Sequence, residues 1–97
     1  MDCAKVRASL MDEPEDGPEA HVARVREVVG SLPGEEVRRL AGDATTAEAR
    51  ARIARCLLYL HPAIDSVEVT DPGTSVSYRV EETGHWHNLL LGRESGR

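Results

Sequence analysis

The chain has no phenylalanine, one tryptophan (Trp86) and two tyrosines (Tyr59 and Tyr78) in 97 residues. Its core must therefore come from Val, Leu, Ile and Ala, and a composition this aliphatic and rich in Arg and Glu leans helical. Cysteine is equally scarce. Cys3 falls in a tail-like segment and Cys56 on an apolar helical face, with no CxxC pair, so neither a zinc knuckle nor a disulfide framework is expected. No apolar run approaches the roughly 20 residues of a membrane span, so no membrane partner is expected. The N-terminus carries Asp2 and an acidic stretch where a leader would be basic and then apolar, which makes a cytoplasmic protein the expectation. Lysine is nearly missing too, with Lys5 alone against eleven Arg. Arginine suits phosphate and carboxylate recognition better than lysine. No glycine-rich phosphate loop, dinucleotide fingerprint or nucleophile–base pair with an orienting group is visible, so no enzyme is expected.

What is present fits one small domain, with 40% apolar residues sufficing for a compact core but not for a large enclosed substrate cavity. The formal net charge is −5. Residues 1–17 contribute −3, leaving about −2 for the other 80 residues. A mildly acidic domain can still bind DNA if its positive charge gathers on one face.

Met11-Asp-Glu-Pro-Glu-Asp-Gly-Pro18 is acidic and broken by proline and glycine, and reads as a linker. Before it, residues 3–10 fit either a short helix or a disordered tail. Val22, Val25, Val28, Val29 and Leu32 then fall at helical spacing, predicting a helix over 18–31 punctuated by Pro18 and Gly30. After the Pro33-Gly34 turn, Glu35 and Glu36 favour a helix start, and Val37, Leu40 and Ala41 give a short second helix its inner side. Thr45 or Thr46 can cap a third helix over 45–60, in which Ala49, Ile53, Cys56, Leu57 and Leu60 form the apolar stripe. His61-Pro62 ends it. Beyond that point the period becomes alternating: Val67 and Val69, then Val76, Tyr78 and Val80, flank Asp71-Pro-Gly-Thr74 as a β-hairpin. The segment 84–92 fits a short third strand, and 93–97 a frayed tail.

The expected fold class is therefore α+β, a three-helix winged helix-turn-helix with a hairpin wing, occupying 18–92 behind an acidic tail or linker at 1–17. In such folds the second helix of the motif enters the major groove. Here that helix would present Thr46, Glu48, Arg50, Arg52 and Arg55 outward, with Arg38 and Arg39 beside it for the phosphate backbone. Surface ion pairs on a solvated helix account for the same charges, and the segment 71–75 gives the wing tip no basic residue. His85 and His87, at i and i+2 in an extended segment, point to one face and can share a divalent metal such as zinc. Glu81, Glu82, His61 and Asn88 are the candidates to complete it. Surface histidines flanking a partly buried Trp86 are the plainer alternative.

On the run Thr46-Ala-Glu-Ala-Arg-Ala-Arg-Ile-Ala-Arg-Cys-Leu57, followed by Ser77-Tyr-Arg-Val80 and Gly84-His-Trp-His-Asn-Leu-Leu-Leu91, the stretch 46–91 resembles the second half of the DNA-binding domain of the ferric uptake regulator family. The resemblance implies a recognition helix, a wing containing Tyr78, and a hinge in which His85 and His87 supply regulatory metal ligands. Ala51-Arg52 stands where that family carries Tyr-Arg, and no CxxC follows the histidines. Two functions follow as expectations. One is a small DNA-binding transcription regulator acting as a homodimer. The other is an acidic protein-interaction module, an adaptor or inhibitor that engages a basic protein without binding DNA.

Overall fold

The computed structural model describes residues 3–42, 46–71 and 75–91. These described residues make an α+β fold of four helices followed by a three-stranded antiparallel sheet: α1 (Cys3–Leu10), α2 (Pro18–Gly30), α3 (Gly34–Ala41), α4 (Thr46–Leu58), β1 (Ile64–Asp71), β2 (Ser75–Val80) and β3 (Trp86–Leu90). The segment 3–10 is thus a helix packed on the domain rather than a tail. The strands form a simple meander in the order β1-β2-β3. The expected Thr45 cap, the hairpin turn at 72–74 and the tail 93–97 lie outside the described residues, as does the side chain of Thr46.

Local chemistry explains the boundaries. Pro18 occupies the first turn of α2, where its missing N–H costs nothing. Gly42, at φ +82°, closes α3 in a conformation that L side chains rarely adopt. Gly84, at φ +72°, serves the β2–β3 turn, where its N–H donates to the Val80 carbonyl at 2.8 Å. The ladder places Val67 beside Tyr78 and Val69 beside Val76, and Val76 beside Leu89. One face of the sheet therefore meets the helices, and the other carries Ser66, Ser77, Arg79, Trp86 and Asn88. Asp65 is the extra residue in a register shift between Ile64 and Ser66. Its carboxylate accepts a fork from Arg79, at 2.9 Å from Nε and 2.6 Å from Nη2. That pairing holds the Asp65 carboxyl below its ordinary range.

The centre of the molecule is α4. It packs against α1, α2 and α3 and against β1 and β2. Ala49, Ala51, Ile53, Ala54, Cys56, Leu57 and Leu58 are all buried. A second stripe of Ala51, Ala54 and Leu58, at i, i+3 and i+7, adds to the one the sequence predicts. The cysteines correct their expectation: Cys3 and Cys56 form a disulfide, with Cα atoms 5.3 Å apart, that fastens α1 to α4. Arg7 Nε reinforces the seam by donating to the Cys56 carbonyl at 3.0 Å, and Val6 is the fully buried residue of α1.

Candidate functional site

Three places collect the polar chemistry: the outer stripe of α4, the histidine segment beside β3, and the solvent face of the sheet. Among the described side chains of α4, Glu48, Arg52 and Arg55 reach outward, continued by Tyr59 just past the helix end, a spacing of i, i+4, i+7 and i+11. Arg52 Nη2 donates to Glu48 Oε1 at 2.5 Å. The Arg55 guanidinium lies over the Tyr59 ring, 5.8 Å from its centroid. Tyr59 Oη in turn accepts from the Val67 N–H at 2.9 Å, tying the end of α4 to β1.

Arg50 departs from its expected outward position. Its Nη1 donates to the Val29 carbonyl and its Nη2 to the Leu32 carbonyl, both at 2.6 Å. It therefore caps the C-terminal end of α2, where the helix leaves unsatisfied carbonyls and a partial negative charge. The cause is helical geometry. Arg50 sits three residues before Ile53 and seven before Leu57, both fully buried, so its side chain leaves along the inner face. On α3, Arg39 pairs with Glu36 and draws that carboxyl below its ordinary range. Arg38 is exposed with no ion pair among the described residues.

His85 and His87 do share a side of the sheet. With Glu19, Tyr78, Glu82 and Thr83 they line a cavity of about 320 Å³ between the start of α2 and the sheet. The His87 ring stacks on Tyr78 with centroids 5.3 Å apart. Burial raises the Tyr78 hydroxyl above its usual value, and the Glu19 carboxylate adds to the effect. Among the described residues, no three His, Cys, Asp or Glu side chains come close enough together to hold a metal ion. His61, a candidate third ligand, faces His21 instead, their rings 5.3 Å apart.

His21 is the fully buried imidazole of that pair. Its Nε2–H donates to the Leu57 carbonyl at 2.8 Å, and its Nδ1 accepts the Glu15 N–H at 3.3 Å. This leaves no room for a second ring proton. Burial lowers its pKa from the ordinary 6.5, His61 lowers it further, and the Leu57 carbonyl and Glu15 oppose the shift. The unfolded chain therefore binds the proton more readily than the fold does. The contribution of His21 to stability is complete above about pH 6.5 and is lost as the pH falls below it. Thermal melts at pH 7.5, 6.0 and 5.0 should give a plateau and then a decline. An unchanged midpoint across that range would refute the neutral, doubly bonded imidazole.

Trp86 is 48% exposed and stands on the solvent face of the sheet, beside Arg79 across the strands. The alternation that puts His85 and His87 on one face puts Trp86 and Asn88 on the other, and this was the available signal. An exposed tryptophan in a polar surround is a recurrent anchor of protein interfaces. Comparison with protein-family models, curated proteins and solved structures finds no match to this chain.

Proposed function

We propose that this domain is a protein-interaction module that binds a basic partner through the outer face of its sheet, with Trp86 as the anchor. The observation that carries the reading is the half-exposed Trp86 among Ser66, Ser77, Arg79 and Asn88. Charge supports it. Arg24, Arg39, Arg52 and Arg79 are each in an ion pair, and Arg7 and Arg50 serve backbone carbonyls. Exposed carboxylates at Glu13, Glu15, Glu19, Glu35, Glu81 and Glu82 have no ion pair among the described residues, on a chain of net charge −5.

The competing reading is a winged-helix regulator that reads DNA through α4. It is the weaker one because α4 is surrounded by the other elements, and its remaining outward arginines are occupied by Glu48 and by Tyr59. The zinc reading has two imidazoles and lacks a third described ligand.

Affinity capture from the native host, comparing wild type with Trp86→Ala, tests the proposal. Truncating a central tryptophan costs about 2 kcal/mol or more, roughly thirtyfold in affinity. A basic protein recovered by wild type and lost with Trp86→Ala is the expected result. Equal recovery by both would overturn the assignment of this face.

A further inference from the structure

We infer that the Cys3–Cys56 bond is a thiol–disulfide exchange site, opened by a dithiol that attacks Cys3 and expels Cys56 as a thiolate beside Arg55 and Arg52. The bond runs along a surface groove of about 420 Å³ lined by Cys3, Arg52, Arg55, Cys56 and Tyr59. Its two ends differ in access. Cys3 is partly exposed on α1, whereas Cys56 is 3% exposed on α4. An incoming thiolate therefore meets Cys3 Sγ first.

The leaving sulfur sits where positive charge can receive it. Arg52 and Arg55 line the same groove as Cys56. Arg55 has no carboxylate partner among the described residues, while Arg52 shares its charge with Glu48. A guanidinium nearby stabilises a thiolate, and a more stable thiolate leaves faster.

In the first step the thiolate of the dithiol forms a bond to Cys3 Sγ, and the Cys3–Cys56 bond breaks with its electron pair on Cys56 Sγ. The second thiol of the reductant, having given its proton to water, then attacks the first at the mixed disulfide and releases Cys3. The dithiol is oxidised by two electrons to its own disulfide, the protein bond is reduced by the same two, and both cysteines take protons from solvent. In a reducing compartment a bond of this kind cycles instead of persisting. Its opening removes the covalent hold on α1, leaving chiefly Val6 and the bond from Arg7 to the Cys56 carbonyl.

Native full-length protein is treated with dithiothreitol at neutral pH without denaturant, quenched with iodoacetamide, and weighed by mass spectrometry. Glutathione replaces the dithiol in a parallel reaction that traps the mixed disulfide. The expected results are two alkylated cysteines, glutathione on Cys3, and slower reduction in Arg55→Gln. The slowing should be about threefold, with a leaving-group sensitivity resembling that of the attacking thiol. High salt should shrink that difference by screening. Reduction only in denaturant, trapping at Cys56, or an Arg55→Gln rate equal to wild type would each overturn the proposal. Because Arg55 is exposed, the variant keeps the fold needed for the comparison.

Discussion

Replacing Cys3 with serine is expected to lower the unfolding free energy by about 2–4 kcal/mol and the melting midpoint by on the order of 10–20 °C. The bond joins residues 53 apart in sequence. Loop closure of that length restricts the unfolded chain by about 4 kcal/mol in the chain-entropy account. Loosening of α1 in the variant returns part of this, because α1 contributes one fully buried side chain to the core. Circular dichroism melts of oxidised wild type and Cys3→Ser make the comparison. Coincident melts would mean that the staple is not formed in the folded protein.

Arg50→Met is expected to cost about 2 kcal/mol, whereas Arg52→Met and Arg55→Met leave stability close to wild type. The contrast isolates position, since all three lie on one helix and carry the same charge. Arg50 alone donates to two carbonyls at the end of α2, and a methionine there leaves both without their charged donor. Lysine rescues little, because one ammonium lacks the planar fork that spans two acceptors. Urea titrations of the four variants and wild type read the effect as a shift in midpoint. Equal midpoints for Arg50→Met and Arg52→Met would contradict the capping role.

These two residues also show where the sequence was readable and where it was not. Helices α2, α3 and α4 and the hairpin strands were legible because valine and leucine at helical spacing, and then valine at alternating spacing, leave little choice. Helix α4 was legible as a helix but not as the centre of the molecule. Alanine is compatible with either a surface or a close-packed interior, so the stripe of Ala51, Ala54 and Leu58 gave no clear direction. Without it, the predicted stripe points Arg50 outward, although it shares a face with Ile53 and Leu57. The Cys3–Cys56 bond was hidden for a different reason: it depends on α1 folding back across α4, a long-range contact that no local pattern encodes. The i, i+2 spacing puts the two histidines on one face, and the same alternation puts Trp86 on the other.

The placement of α4 at the centre, with its arginines turned to intramolecular partners, underlies the reading of this domain as a protein binder and not a DNA reader. Fluorescence anisotropy of labelled duplex DNA, including the region upstream of its own gene, titrated with the native protein at low ionic strength tests this most directly. No salt-sensitive binding is expected. Binding whose logarithm falls linearly with the logarithm of salt, by about 0.9 for each phosphate neutralised, would contradict it, and loss of that slope in Arg52→Gln and Arg55→Gln would return α4 to the role of a reading helix.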